Sequence, residues 1–259
     1  MLEVYKFECF TSPCEVQLYC DDKNLADNCA KDILQEAKRL ELKYNYFDSN
    51  SYLSQLNTRE TNILDSETKT VLSRAKQYYT KTNNIFDITM ITKKENEDLS
   101  RYVGCEHFSI KRDKLYFTNE FTKLDLGGFI KEFSVDKSVL IIKKYKIKSA
   151  LINFGGDIFV IGKKPNNEKF KVAIKNPQDT TKNIITVSLE NEALTTSALY
   201  ERAGHIQSSK KMQTNIQSTT VVSKNCVESG VYSTSLMCDE TLKTVHKKYL
   251  IDANLEVVS

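Results

Sequence analysis

Two glycine pairs mark the sequence, in LDLGGFIKEF at residues 124–133 and in LINFGGDIFVIG at residues 151–162. The chain has only 8 glycines, so these two motifs hold half of them. Each pair follows an apolar run typical of a β-strand, and each has an aspartate beside it, Asp125 or Asp157. Adjacent glycines permit positive φ angles and close approach of the backbone to a ligand, and a carboxylate can bind a hard cation. The pattern predicts either a binding site at both motifs or two tight turns with solvated aspartates.

The residues after the first pair, FIKEFSVDKSVLIIKKY at 129–145, predict an α-helix. A glycine turn that opens a helix directs the N–H groups of the first helical turn at an approaching anion. Lys131 lies in that first turn, where a positive charge opposes the helix macrodipole. A bound phosphate explains this placement, and so does a side chain that is simply exposed to solvent.

The composition is ordinary for a globular protein of 259 residues, with 40% apolar and 27% charged residues. The net charge of +3 arises from 37 basic and 34 acidic residues that are spread along the chain. The basic runs are short and lack interleaved aromatic residues, so we expect no nucleic-acid partner. Charged residues interrupt every long apolar stretch, so we also expect no membrane span.

The cysteines and the beginning of the chain predict a cytoplasmic protein. The seven cysteines are an odd number and include no CxxC pair. We therefore expect reduced thiols rather than disulfides or a zinc site. Residues 1–19 lack the basic-then-apolar pattern of a secretion signal.

The hydrophobic pattern predicts one compact α+β domain over residues 1–259, without an internal linker or repeat. Helices are predicted over residues 24–43, 65–83 and 226–247, and a polar loop over residues 45–58. Strand signals occur in the segments 3–20, 107–126, 149–162, 169–175, 183–197, 217–223 and 247–259. Of these, segment 107–126 predicts a three-stranded meander that ends in LDL, and segments 149–162 and 169–175 predict a hairpin-like pair.

Other polar residues are candidates for the site, each with a simpler alternative. Asn57 lies in the predicted polar loop and is either a turn former or a site residue. Asp87 and Thr89 share one face if FDIT is extended, where a buried carboxylate needs a partner; a cap or turn is the alternative. Residues 195–202, TTSALYER, offer hydroxyls at a strand end. His205, one of three histidines, is either catalytic or inert.

The order of these motifs resembles that of the ApbE family, the FAD:protein FMN transferases. LDLGGFIKEFSVD resembles the family's LDLGGiaKGyavD, and LINFGGDIFVIG resembles the family segment that contains GGD. FDIT, ALTTSALYER and GHIQSS resemble the family segments FDpT, atSGdyER and hHIidP. The similarity is collinear over roughly residues 7–240, and the chain is identified as a member. It implies an α+β, T-fold-like structure of mixed sheets and packed helices.

Members of the family bind FAD and transfer its FMN half onto a Ser or Thr of a target protein, with release of AMP and a requirement for Mg²⁺. The resemblance implies that this chain, as a monomer or dimer, uses FAD, Mg²⁺ and a flavin-accepting protein. It implies catalytic roles for Lys131 and His205, and Mg²⁺ ligands at the Ile130 carbonyl and at Thr234. The implied FAD-binding residues are Asn57, Asp87, Asp125, Gly127, Gly128, Asn153, Gly155, Gly156, Asp157 and Ser197.

The chain departs from the family pattern at the implied metal site. Gly230 stands where the family has an aspartate four residues before Thr234, and Glu132 stands where the family has a glycine after the lysine. Glu228 and Asp239 lie about 120° and 140° round the helix from Thr234, so neither replaces the missing carboxylate. The chain is therefore either an active FMN transferase or a degenerate paralogue that binds flavin or a partner protein without transfer.

Overall fold

The computed structural model describes residues 1–198 and 215–258, which form an α+β fold. Within these ranges the α-helices are α1 (Lys23–Lys43), α2 (Tyr52–Thr58), α3 (Ser66–Lys81), α4 (Ile91–Glu95), α5 (Ile130–Lys144) and α6 (Cys226–Cys238). The strands are β1 (Leu2–Cys9), β2 (Ser12–Tyr19), β3 (Phe108–Lys111), β4 (Lys114–Phe117), β5 (Ala150–Phe154), β6 (Asp157–Ile161), β7 (Phe170–Asn176), β8 (Asp179–Leu189), β9 (Glu192–Ala198), β10 (Ile216–Ser223), β11 (Lys247–Asp252) and β12 (Val257–Val258). Two 3₁₀ helices, Glu97–Tyr102 and Cys105–His107, lie between α4 and β3.

An eight-stranded antiparallel sheet forms the centre of the fold, with the order β1-β2-β5-β6-β9-β10-β11-β12. The hairpins β3–β4 and β7–β8 are separate two-stranded sheets. Strand β2 shows the pattern of a half-buried strand, because Cys14, Val16 and Leu18 are buried and alternate with more exposed residues.

The two faces of the central sheet are covered by different elements. Phe159 and Ala193 pack in a core with residues of α1 and α5, whereas Val160 and Leu194 pack against the β7–β8 hairpin. Successive side chains of a strand point to opposite faces, so the sheet has a helical face and a hairpin face. The same alternation places Asp157 on the helical face.

Helix α5 lies between α1 and α6 on the helical face. Its partner α1 buries one stripe at helical spacing, made of Ala26, Cys29, Ala30, Ile33, Ala37 and Leu40. Asp22 caps α1 by accepting a hydrogen bond from the Leu25 N–H at 3.1 Å. Among the helices in residues 1–198 and 215–258, none has both the length and the apolar character that crossing a membrane requires.

Four local predictions from the sequence are wrong. The helix predicted over residues 226–247 ends at Cys238, because Asp239 is already extended. The predicted polar loop contains helix α2, which Ser51 caps by accepting a hydrogen bond from the Ser54 N–H at 3.1 Å. Residues 124–126 form no strand, and β7 pairs with β8 rather than with the β5–β6 hairpin. Apolar periodicity does not detect helix α2, because its 7 residues make only two turns and two of its buried residues, Ser54 and Asn57, are polar.

Candidate functional site

The two glycine motifs meet at the first turn of α5. Lys131 Nζ lies 2.8 Å from Asp157 Oδ2 and 3.4 Å from the carbonyl oxygen of Gly155. Only 17% of the Lys131 side chain and 4% of the Asp157 side chain are exposed to solvent. The Lys131 ammonium is therefore held in a partly buried ion pair, and solvent exposure does not explain why a lysine lies at the beginning of this helix.

Gly155 and Gly156 form the tight turn between β5 and β6. Their φ angles are 58° and 95°, in the region that favours glycine. A Cβ on Gly155 would lie 2.7 Å from Ser12 Cβ and 3.4 Å from Lys131 Nζ. Asn153 Oδ1 accepts a hydrogen bond from the Gly156 N–H at 2.9 Å and so stabilises the turn. Positive φ is confirmed at this pair, whereas close approach of its backbone to a ligand stays a prediction.

The first glycine pair has a different geometry. Neither Gly127 nor Gly128 has a positive φ, so that prediction is wrong at this pair. Asp125 Oδ1 accepts a hydrogen bond from the Gly127 N–H at 2.8 Å, which forms a local turn. Both glycines are exposed, and the atom closest to a Cβ on Gly128 would be a Phe86 ring carbon at 4.0 Å. Helix α5 begins at Ile130 with no side-chain cap from the described residues. The N–H groups of Phe129 and Ile130 donate to the Leu126 carbonyl at 2.9 and 2.8 Å instead.

Asn57 holds the LDLGG segment in place. It is buried in the last turn of α2, and its Nδ2 donates to the Leu124 carbonyl at 2.8 Å. The Leu124 N–H donates to Asn57 Oδ1, also at 2.8 Å. The next N–H along, that of Asp125, donates to the Ile88 carbonyl at 2.8 Å. Asn57 is therefore not a turn former; its contact with flavin stays a prediction.

Asp87 closes a local turn in the FDIT segment. Its Oδ1 accepts hydrogen bonds from the Thr89 N–H at 2.8 Å and from the Thr89 hydroxyl at 2.7 Å. Burial raises the pKa of the Asp87 carboxyl, and the hydrogen bonds from Thr89 oppose this rise. The turn alternative is confirmed, and Asp87 Oδ1 also accepts from Cys105 Sγ at 3.7 Å, outside the turn.

Three hydroxyl groups form a cluster between β9 and α6, which we call the hydroxyl cluster: Ser197, Ser233 and Thr234. Ser197 Oγ lies 2.8 Å from Ser233 Oγ and 3.1 Å from Thr234 Oγ1. Ser233 Oγ also donates to the carbonyl oxygen of Gly230 at 3.0 Å. The structure thus joins a predicted FAD-binding residue, Ser197, to a predicted Mg²⁺ ligand, Thr234.

Glu132 on α5 and Gly230 on α6 are in direct contact. Glu132 is 6% exposed, and among the described residues its Oε2 has no hydrogen-bond partner. A Cβ on Gly230 would lie 2.7 Å from Glu132 Cγ and 2.8 Å from its Oε1. Burial, reinforced by the Asp157 carboxylate and opposed by Lys131, raises the pKa of Glu132 to about 8.

Sequence reasoning missed Glu132 as part of the site. It treated Glu132 and Gly230 as two independent departures from the family motifs, whereas the structure makes them one contact. The signal in the sequence is that a glycine and a carboxylate have exchanged places between two motifs. Nothing local to either motif shows that the two positions touch.

The oxygen donors of this region are of the kind that Mg²⁺ prefers. They are the Glu132 carboxylate, with its unpartnered Oε2, and the hydroxyl cluster. Ile130, whose carbonyl is the other predicted ligand, is the buried first residue of α5. Within residues 1–198 and 215–258, no group of three or more His, Cys, Asp or Glu side chains is arranged to hold a metal. A cation here would take most of its ligands from hydroxyls, carbonyls and water.

The predicted site residue Asn153 lies apart from this group. Ile152 and Phe154 lie on the helical face, so strand alternation places Asn153 on the hairpin face, with the sheet between it and Asp157. Its observed contact is with the Gly156 N–H of the turn. His205 lies outside the described residues, and its acid–base role stays a prediction.

The sequence also matches a known protein family. The model of the ApbE family matches residues 10–254. The chain belongs to the ApbE family. One curated relative, the FAD:protein FMN transferase of Treponema pallidum (strain Nichols), is 34% identical over 89 residues. That alignment covers 31% of this chain and 25% of the relative, so it spans about a quarter of the relative's length.

Solved ApbE structures have the same fold. An ApbE protein of Thermotoga maritima superposes with a TM-score of 0.89 at 18% identity, over 100% of this chain and 96% of that one. The flavin transferase ApbE of Vibrio cholerae gives 0.80 at 16% identity, over 97% and 94%. The apo form of the flavinyl transferase ApbE of Pseudomonas stutzeri gives 0.84 at 16% identity, over 100% and 95%. The ApbE-like α+β fold expected from the sequence is confirmed.

Proposed function

We propose that this chain transfers the FMN half of FAD onto a Ser or Thr hydroxyl of a target protein, assisted by Mg²⁺ and with release of AMP. The observation that carries the proposal is the partly buried Lys131 ammonium in the first turn of α5, where both glycine motifs meet. Positive charge and helix N–H groups at one point suit a diphosphate. The name of the Treponema pallidum relative, FAD:protein FMN transferase, supports the same reaction.

The reaction is a phosphoryl-group substitution. The target hydroxyl oxygen forms a bond to the phosphorus of the FMN half, and the bond from that phosphorus to the bridging oxygen breaks. The bridging oxygen leaves with AMP, and the hydroxyl proton passes to a base. We assign that base to His205, because an imidazole has a pKa near neutrality. Lys131 stabilises the negative charge that develops on the bridging oxygen.

The other residues bind and orient the two substrates. We propose that the exposed Gly127 and Gly128 let the diphosphate approach the α5 N–H groups, since neither glycine presents a side chain there. The FDIT turn and the LDLGG segment, which Asn57 holds together with α2, form the flavin side of the pocket. Asn153 contributes indirectly, because it stabilises the Gly155–Gly156 turn beside Lys131.

The site residues fit Mg²⁺ through oxygen donors on two helices. The Ile130 carbonyl at the beginning of α5 and the Thr234 hydroxyl on α6 would hold the ion. When bound, Mg²⁺ supplies neutralising charge for the diphosphate oxygens.

We propose a cytoplasmic setting, because all seven cysteines are free thiols and six of them are buried.

One observation favours the alternative, a degenerate paralogue that binds flavin without transfer. Helix α6 has no carboxylate at position 230, and the loss of a charged ligand weakens the binding of a hard cation. Under this alternative the protein binds FAD at the same pocket but releases no AMP and forms no covalent flavin.

Co-expression with candidate acceptor proteins, followed by flavin fluorescence in a denaturing gel, tests the transfer. We expect a fluorescent acceptor band with wild type and FAD, loss of the band with Lys131→Ala, and retention with Lys144→Ala. Lys144 is the matched control because it lies on the same helix and is exposed at its far end. If FAD binds but neither covalent flavin nor AMP forms at any Mg²⁺ concentration, the paralogue alternative is correct.

A further inference from the structure

Glu132 presents a buried carboxylate for which the described residues offer little compensation. Glu132 is 6% exposed, and its Oε2 has no hydrogen-bond partner among the described residues. A buried carboxylate oxygen without a hydrogen-bond partner is unfavourable. The ammonium next to it, that of Lys131, lies 2.8 Å from the Asp157 carboxylate instead. The local charge balance is therefore completed by a proton or by a cation.

The position of Glu132 is the second observation. Its Cγ, Cδ and Oε1 lie 2.7, 3.0 and 2.8 Å from where a Cβ of Gly230 would be. Its carboxylate thus fills the space into which a side chain at position 230 would extend. Gly230 is one helical turn before Thr234, and residues four apart share a helix face. Glu132 therefore places a carboxylate on the face of α6 that carries the Thr234 hydroxyl.

We propose that Glu132 is the charged Mg²⁺ ligand of this protein, supplied from α5 in place of a carboxylate on α6. The proposal rests on the proposed function, which requires Mg²⁺. A carboxylate and a hydroxyl are hard oxygen donors, and their approach from two helices leaves further positions for water or phosphate oxygens. The exchange of glycine and carboxylate between positions 132 and 230 then preserves the charge of the site while changing the helix that supplies it.

The competing explanation is that Glu132 is a packing residue that stays protonated. Glutamine matches glutamate in size and keeps one acceptor oxygen, so Glu132→Gln preserves packing but removes the charge. A packing role predicts that this variant behaves as wild type in every binding measurement. A ligand role predicts a loss of metal affinity that no change in folding accompanies.

Direct titration with Mn²⁺, followed by electron paramagnetic resonance with and without FAD, distinguishes the two roles without depending on catalysis. We expect wild type to bind one Mn²⁺ that Mg²⁺ displaces, and Glu132→Gln to bind it at least about 10-fold more weakly. The matched control is Glu228→Gln, on α6 two residues before Gly230 and paired with His246 at 3.4 Å. This control is expected to bind Mn²⁺ as wild type does.

A double variant provides the positive test. Glu132→Gly removes the side chain that blocks position 230, so Glu132→Gly combined with Gly230→Asp returns the carboxylate to α6. We expect this double variant to bind Mn²⁺ more tightly than Glu132→Gly alone by about 10-fold or more. Absence of Mn²⁺ binding by wild type, or equal binding by wild type and Glu132→Gln, overturns the proposal. Glu132-dependent Mn²⁺ binding without FMN transfer keeps the proposal and rejects the proposed function instead.

Discussion

At the scale of single residues, the contact between Gly230 and Glu132 decides which substitutions the site tolerates. A Cβ at position 230 would lie 2.7 Å from Glu132 Cγ, well inside normal contact distance. Glu132 is buried, so its side chain has no open space into which to turn away. Gly230 lies inside helix α6, where any residue can adopt the backbone conformation. Glycine is therefore required at this position by the neighbouring Glu132 side chain.

This contact predicts that the effect of Gly230→Ala on the free energy of unfolding changes sign when Glu132 is replaced by glycine. In wild type, Gly230→Ala should lower the free energy of unfolding by about 1–2 kcal/mol, since overpacking outweighs the gain in helix propensity. In a Glu132→Gly background the same Gly230→Ala should raise it by about 0.5–1 kcal/mol, because only helix propensity remains. Urea denaturation of the four proteins measures both effects. Equal effects in the two backgrounds would show that the contact is not energetically significant.

Asn57 is the second residue with a defined structural role. Asn57→Ala removes two hydrogen bonds and leaves the buried N–H and C=O of Leu124 without partners. We expect the free energy of unfolding to fall by about 2–4 kcal/mol. Thr58→Ala is the control, because Thr58 is the exposed neighbour in the same helix, and it should change stability by less than about 0.5 kcal/mol. Similar stability losses in both variants would contradict the role assigned to Asn57.

At the scale of secondary-structure elements, the contact between α5 and α6 organises the site. Asp136 on α5 accepts hydrogen bonds from the N–H groups of Cys226 at 2.6 Å and Val227 at 3.2 Å, at the beginning of α6. Asn225 completes the cap by accepting from the Glu228 N–H at 2.9 Å. The two helices that carry Lys131, Glu132 and the hydroxyl cluster are therefore joined at this helix N-terminus.

The Asp136 contact predicts a pH dependence of stability. Burial raises the pKa of Asp136 to about 6, and the charge of Glu228 adds to this rise. The hydrogen bonds from the two N–H groups and the charge of Arg74 oppose it. The unfolded carboxyl titrates near pH 4, so the native state binds more protons between about pH 4 and pH 6. The stabilising contribution of this group is therefore complete below about pH 4 and is lost as the pH rises through about 6.

Comparison with Asp136→Asn isolates this contribution from other titrating groups. Between pH 4 and pH 7, wild type should lose up to about 3 kcal/mol more of its free energy of unfolding than the variant does. Urea denaturation at both pH values measures the difference. Parallel stability changes in the two proteins would mean that Asp136 titrates at its ordinary pKa.

At the scale of the whole molecule, the central sheet separates the site from the hydrophobic cluster of the β7–β8 hairpin. The site lies on the helical face, while the β7–β8 hairpin packs its own cluster on the opposite face. Phe170 is 1% exposed in that cluster and contacts the Tyr19 ring at a centroid distance of 6.0 Å. Substitutions in this hairpin cluster should therefore change stability without changing ligand binding at the site.

Substitution in the hairpin tests this separation. Phe170→Ala should lower the free energy of unfolding by about 3–5 kcal/mol, because it removes a buried aromatic side chain. The FAD affinity of the folded protein should stay within about 2-fold of wild type, by the same separation of faces. Lys171→Ala, at the exposed neighbouring position, is the control for a change in the same strand. A large loss of FAD affinity in folded Phe170→Ala would show that the two faces are coupled.

The sequence predicted most of what depends on neighbouring residues. Apolar periodicity located α1 and α3, because a helix of 16 residues or more repeats its pattern several times. The turn at Gly155 and Gly156 was predicted because positive φ is a property of the glycines themselves. The order of the motifs identified the ApbE family, and the family match confirms it.

Only the tertiary structure decided how the motifs combine. The Asn57 side chain pairs with a segment 67 residues away, and Lys131 meets Asp157 from a different element. Along the chain, Glu132 is an added charge and Gly230 is a lost metal ligand. In the folded protein, the Glu132 side chain fills the space that a side chain at position 230 would need. Local pattern encodes helices, strands and turns, because these depend on nearby dihedral angles and side-chain spacing. Contacts between distant residues depend on how α5 and α6 pack over one sheet, which no local pattern specifies.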